Sequence, residues 1–231
     1  MARKRKQAIP LFILLLLACM IGLSACSEDQ VYETDDLSCY GQFPDDKNAE
    51  AAQEQLEHWF PVEIDPRWEK VAYHYKSVDS IADVYSFEIE LEFQIPDHND
   101  YLSFQQEMLN RGLSCAFPFV EDATICFFEA PIFLLETPEC RDCKNQPPHY
   151  HIGWSTLQSV ILNESTQSAY LISLSVYDGG GASTYDFPTF FERFSIDPVK
   201  FSEFTEAFRC EHYSPIGEPL DDGKANTRGA L

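Results

Sequence analysis

The chain has 231 residues, of which 16 are basic and 38 are acidic, and its formal net charge is −22. Its length and its 45% hydrophobic content suit one globular domain with a real core. The charge argues against nucleic acid and an anionic lipid surface as partners, because phosphate binding needs Lys and Arg. A basic protein, a cation or a neutral ligand such as a glycan fits this charge better.

The first 25 residues have the organisation of a secretory signal peptide. They begin with a basic cluster made of Arg3, Lys4, Arg5 and Lys6. An apolar run follows from Leu11 to Leu17 and extends to Leu23 with few interruptions. A charged start, a short apolar run and small residues before a cleavage site predict export. The run is shorter than the ~20 apolar residues of a spanning helix, and no later segment is apolar enough to span a bilayer.

The leader ends in Leu23-Ser24-Ala25-Cys26. This tetrapeptide resembles the lipobox of bacterial lipoprotein precursors, and the resemblance covers only the leader. It implies that the sulfur of Cys26 carries a diacylglyceryl group and that Cys26 becomes the mature N-terminus. It also implies an extracytoplasmic protein anchored to the cell membrane or the outer membrane. The alternative is an ordinary signal peptide followed by a chance cysteine.

The segment after the leader is strongly acidic. The leader carries four of the basic residues and none of the acids, so the remaining 206 residues have a net charge near −26. Residues 26–46 are predicted to be the lipidated cysteine and an acidic tether, since they contain no basic residue. At ~3.3 Å per residue, such a tether would hold the domain up to ~65 Å from the membrane. We expect the globular domain over 47–213 and a flexible tail over 214–231.

Three helices are predicted from caps and apolar spacing. In the first, Asp46 caps a segment that Pro61 ends. In the second, Asp100 caps and Gly112 terminates. In the third, Asp197 caps, Pro198 occupies the first turn, and one side is lined by Phe201, Phe204 and Phe208. A shorter helical turn is predicted from 188 to 193.

Strands are predicted where apolar and polar residues alternate. The alternation is strict from Tyr85 to Ile95, and a similar face spans Val71 to Tyr75. Further strands are predicted over 158–162 and 170–176, with shorter ones over 124–128 and 132–135. Because neighbouring strands come in pairs with helices between the pairs, we expect an α+β fold. It would consist of a mainly antiparallel sheet with about three helices on one face.

Six cysteines remain after the leader and Cys26 are set aside: Cys39, Cys115, Cys126, Cys140, Cys143 and Cys210. An even number outside the cytoplasm favours disulfides, although sequence alone cannot choose their pairing. The working hypothesis pairs Cys115 with Cys126, Cys140 with Cys143, and Cys39 with Cys210. This would make a disulfide-stapled single domain.

The loop over 136–151 is the predicted functional surface, because long loops often bind partners. It contains four residues that could ligate zinc or act as a redox pair: Cys140, Cys143, His149 and His151. The flanking prolines and Asp142 argue against a redox pair, and the close spacing argues against a metal site. A disulfide between the two cysteines is the preferred interpretation.

A row of three glutamates, Glu88, Glu90 and Glu92, occupies the polar side of the strand from Tyr85 to Ile95. Such a row could collect Ca²⁺ or a basic ligand. We prefer cross-strand charge pairing, with Lys70 opposite Glu92 and His74 opposite Glu88.

The sequence contains no Gly-x-Ser-x-Gly, His-Glu-x-x-His or EF-hand motif. The function predicted from sequence is therefore a non-catalytic, membrane-anchored domain that binds a partner or ligand and needs no cofactor. The alternative is a metal-binding or thiol-redox envelope protein that uses the 140–151 region.

Overall fold

The computed structural model describes residues 30–79, 85–136, 150–177, 187–214 and 219–220. The strands in these ranges are β1 (Gln30–Thr34), β2 (Glu69–Asp79), β3 (Tyr85–Gln94), β4 (Leu113–Ala116), β5 (Ala123–Phe127), β6 (Leu135–Glu136), β7 (His151–Ile152), β8 (Ser155–Asn163) and β9 (Ser168–Tyr177). The helices in these ranges are α1 (Ala49–Trp59), α2 (His98–Arg111), α3 (Thr189–Arg193) and α4 (Pro198–His212).

Seven strands form one sheet in the order β1-β2-β3-β9-β8-β5-β4, and every neighbouring pair is antiparallel. Strands β6 and β7 form a separate two-stranded ribbon. The α+β class and the mainly antiparallel sheet predicted from sequence are confirmed. None of the described helices is long and apolar enough to cross a membrane.

Helices cover both faces of the sheet, so the prediction that they pack on one face is wrong. Helices α1 and α2 pack on the face that we call face A, where β3 contributes Phe87, Ile89, Leu91 and Phe93. Helices α3 and α4 pack on the opposite face, face B, through aromatic residues such as Phe190 and Phe201. Strands β8 and β9 bury apolar side chains on both faces, and this explains their nearly continuous apolar runs.

The helix termini follow the predicted caps with two shifts. Asn48, not Asp46, occupies the cap position of α1 and makes no side-chain cap, while Asp46 Oδ1 accepts a hydrogen bond from Asn48 N at 2.8 Å ahead of the helix. Asp197 accepts hydrogen bonds from Val199 N (2.9 Å) and Lys200 N (3.3 Å), as predicted for α4. Helix α2 is capped by Asp97, whose carboxylate accepts from the backbone of Asn99 and Asp100. Asp100 therefore lies inside the first turn and is not the cap.

The segment predicted to be a tether is largely part of the domain. Strand β1 pairs with β2 over its five residues, from Gln30 opposite Asp79 to Thr34 opposite Tyr75. After a short 3₁₀ helix at Leu37–Cys39, Tyr40 and Phe43 pack against the core of face A. An edge strand can form from polar residues, because backbone pairing on one side is enough to hold it.

The four cysteines in the described residues, Cys39, Cys115, Cys126 and Cys210, are free thiols. The predicted Cys115–Cys126 bond is wrong because the two side chains point to opposite faces. Cys115 lies opposite Ile125 on face B, whereas Cys126 lies opposite Ser114 on face A and contacts Met108 O at 3.4 Å.

The predicted Cys39–Cys210 bond is wrong for the same reason. Cys39 packs on face A, and Cys210 is exposed on α4, which covers face B. The term disulfide-stapled is therefore not supported for the part of the domain that the structure describes. Cys140 and Cys143 lie outside the described residues.

The described part of the predicted C-terminal tail is in contact with the domain. Pro219 forms a bridge with Tyr213, and Leu220 N donates to His212 O at 2.8 Å. Together with β1, these contacts place both ends of the described chain on the folded body.

Candidate functional site

Four of the residues that sequence reasoning singled out lie outside the described ranges. This applies to Cys26, Cys140, Cys143 and His149. His151 lies in β7, opposite Glu136. Within the described ranges no group of three or more His, Cys, Asp or Glu residues is placed to hold a metal ion. The metal and thiol-redox hypotheses therefore stay predictions.

The glutamate row of β3 is buried on face B. The exposed fractions of Glu88 and Glu90 are 1% and 3%. Their cross-strand partners are Lys76 and His74, so the pairing of β2 with β3 differs by two residues from the expected one. The sequence predicted cross-strand charge pairing for this row and did not predict its burial, because alternation does not show what covers the polar side of a strand.

The buried glutamates accept hydrogen bonds from the first turn of α3. Thr189 N donates to Glu88 Oε1 at 2.9 Å, and Phe190 N donates to Glu90 Oε1 at 3.2 Å. The residue before α3 is Pro188, which makes no side-chain cap. The two carboxylates thus satisfy the amides that a helix start leaves unpaired. At the other end of the helix Arg193 forms an ion pair with Glu92.

Two further polar side chains are buried beside these glutamates. His74 Nδ1 lies 2.7 Å from Asp35 Oδ1, and the imidazole is almost fully buried. Tyr170 lies under the Arg193 guanidinium, which is 5.5 Å from the ring centroid. Burial, followed by the charges of Glu90 and Glu88, raises the pKa of Tyr170 well above its usual value. The hydroxyl of Tyr170 therefore remains protonated beside the two carboxylates.

This polar layer anchors α3, and neither described cavity opens onto it. One cavity, of about 400 Å³, lies between the end of α2 and the β5 side of the domain. It is lined by Arg111, Gly112, Leu113, Phe128, Glu129, Ala130, Ile132, Thr156, Tyr213 and Pro219. A Cβ on Gly112 would overlap the carbonyl oxygen of Phe127, so glycine lets the end of α2 approach β5 at this point.

We call this cavity the α2–β5 groove. Its volume lies in the range of small-ligand sites, and its lining combines apolar side chains with a few polar ones. Arg111 lines the groove and forms an ion pair with Glu107, with Nη2 and Oε1 2.6 Å apart. The second cavity is lined by fewer residues and is more polar. Its lining includes Asp122, Thr124 and Glu164.

The described residues on either side of 137–149 include exposed apolar side chains that sequence reasoning did not single out. Trp154 is 51% exposed and Leu134 is 42% exposed. Both flank the β6–β7 ribbon, where Gly153 N donates to Leu134 O and Leu134 N donates to Ser155 Oγ, both at 3.0 Å. The tryptophan in His151-Ile152-Gly153-Trp154 was the available sequence feature.

No protein-family model matches this chain, and no curated protein or solved structure matches it either.

Proposed function

We propose that this chain is an extracytoplasmic lipoprotein, anchored at Cys26, whose α+β domain is non-catalytic and binds a ligand in the α2–β5 groove. The observation that carries the anchor is the leader with its terminal Leu23-Ser24-Ala25-Cys26. The free thiol of the cysteine is the acyl acceptor, and the acyl chains hold the soluble domain at the membrane.

The groove supports the binding part of the proposal. It combines the half-buried side chains of Leu113, Ile132 and Thr156 with open access from solvent. The net charge of the exported part, near −26, favours a neutral or cationic ligand over an anionic one. A neutral glycan or a small cation fits this description, and nucleic acid does not.

The anchor is tested by mass spectrometry of the full chain expressed in a bacterial host. We expect a mature protein that begins at Cys26 and carries the mass of a diacylglyceryl group, recovered from membranes. The Cys26→Ser variant should lack this mass and leave the membrane fraction. An intact leader with an unmodified Cys26 on protein from the cytosol would contradict the anchor.

The groove is tested by thermal unfolding of the purified domain with the low-molecular-weight fraction of a cell-envelope extract. A ligand at 100 times its Kd stabilises a protein by about 2.7 kcal/mol, so the wild-type Tm should rise. Ala130→Trp fills the groove and should remove the rise, whereas Ala116→Trp, at an exposed alanine of β4, should keep it. The same rise in both variants, or none in the wild type, contradicts binding in the groove.

A further inference from the structure

We propose that the end of the sheet where Gln30 and Trp154 lie docks onto the bilayer interface, with the Trp154 side chain among the lipid headgroups. We call this region the anchor-proximal end. The proposal rests on the proposed anchor at Cys26. It adds an orientation of the domain and a direct contact between protein and lipid.

The first argument is the length of chain between the anchor and the fold. Strand β1 begins at Gln30 and is paired with β2 from that residue onward. Three residues separate it from Cys26. At ~3.5 Å per residue, the Cα atoms of Cys26 and Gln30 lie within about 14 Å of each other. A lipidated Cys26 therefore holds the start of β1 close to the headgroups, far nearer than the ~65 Å that an unfolded tether would reach.

The second argument is the register of the sheet. Successive strand pairs place five residues in one row across it: Val31, Val78, Ser86, Val176 and Ser155. The row crosses four strand spacings of about 4.8 Å, so β1 and β8 are roughly 19 Å apart. Gln30 and Trp154 each precede the row on strands that run in the same direction. Both residues therefore lie at the same end of the sheet.

The third argument is the chemistry of that end. Trp154 and Val31 are about half exposed, and Leu134, whose amide donates to Ser155 Oγ, is also exposed. Tryptophan and tyrosine favour the headgroup region, because the ring is apolar while its N–H or O–H stays hydrated. The acid nearest to Gln30 across the strands, Asp79, is paired with Lys47 at 3.0 Å. Among the residues paired across this end, the one carboxylate is thus neutralised, and the acids of the connection, Glu28 and Asp29, favour a zwitterionic bilayer over an anionic one.

The experiment uses the full lipidated chain in phosphatidylcholine vesicles that contain a lipid with a nitroxide near the headgroup. The chain has three tryptophans, and the other two, Trp59 and Trp68, stack on Phe128 and Phe93. We expect the nitroxide to quench the wild type, and the quenched component to disappear in Trp154→Phe. A ten-residue Gly/Ser insertion between Asp29 and Gln30 should keep the protein on the vesicles and reduce the Trp154 quenching at least two-fold.

The outcomes separate the two proposals. Acylated Cys26 with no Trp154-dependent quenching overturns the docking and leaves the anchor in place. Quenching that the insertion does not change also overturns the docking as argued, because the short connection would then play no part. Cys26 without a lipid overturns both proposals. Phosphatidylcholine is chosen because the acidic chain would be repelled by an anionic bilayer.

Discussion

At the scale of single residues, the unusual feature is the number of buried tyrosine hydroxyls. The hydroxyls of Tyr73, Tyr75, Tyr101 and Tyr170 are inaccessible to solvent, and those of Tyr73 and Tyr101 have no hydrogen-bond partner among the described residues. A hydroxyl in such a site favours the neutral phenol, because ionisation would place a charge in an apolar environment. Burial raises the pKa of Tyr101 to about 12, and the charge of Glu164 adds to the effect.

This shift predicts a loss of stability at alkaline pH. Tyrosine in the unfolded chain releases its proton near pH 10, whereas folded Tyr101 keeps it to about pH 12. The contribution is therefore complete below pH 10 and is lost as the pH rises through 12. In urea unfolding between pH 9 and 12, the free energy of unfolding should fall less steeply with pH in Tyr101→Phe than in the wild type. At pH 7 the two proteins should have nearly the same stability.

The matched control for this prediction is Tyr150→Phe, which removes an exposed hydroxyl and should leave the alkaline transition as it is. A Tyr101→Phe variant with the wild-type slope would show that the buried hydroxyl at this position does not contribute to the alkaline transition.

At the scale of elements, β3 and α3 are joined by hydrogen bonds between the buried carboxylates of β3 and the backbone amides of α3. Helix α3 has only five residues, too few to be stable alone. Its first backbone amides donate hydrogen bonds to Glu88 and Glu90. The carboxylates are buried because the helix covers them, and the helix is held because they accept its amides. The burial of the two carboxylates and the position of α3 therefore depend on the same two hydrogen bonds.

Removal of one carboxylate should therefore release α3. In Glu90→Ala, Phe190 N loses its buried acceptor, and the free energy of unfolding should fall by about 1–3 kcal/mol. Amide exchange over 189–193 should accelerate more than exchange over α4. Denaturant unfolding and hydrogen exchange by mass spectrometry measure the two effects.

The control variant is Glu69→Ala, at an exposed glutamate of β2, where the change in stability should stay within about 0.5 kcal/mol. If Glu90→Ala leaves both the stability and the exchange of residues 189–193 unaltered, the anchoring role assigned to Glu90 is wrong.

At the scale of the whole molecule, one sheet separates two hydrophobic cores. The core on face A includes Leu56, Tyr101 and Leu91, and the core on face B includes Phe201 and Ile172. The sheet also sets where the two proposed sites lie: the proposed docking end is formed by β1 and β8, whereas the α2–β5 groove lies toward the β4 edge.

Local sequence patterns were sufficient to predict most of the helices and strands. The alternation from Tyr85 to Ile95 predicted β3, and the Asp197-Pro198 start predicted α4, because both depend on near neighbours. The cap of α2 was misplaced by three residues, since Asp97 and Asp100 are equally good caps in isolation. Strand β1 was missed because an exposed edge strand needs no apolar face.

What the amino-acid sequence by itself determined is the acidic charge and the periods that make these strands and helices, because each depends on composition or on residues a few positions apart. Only the tertiary structure decided that β3 buries its glutamates, that Cys115 and Cys126 point to opposite faces, and that Gln30 and Trp154 share one end of the sheet. These facts depend on strand register and on which helix covers which face. Both are set by contacts between residues far apart in the chain.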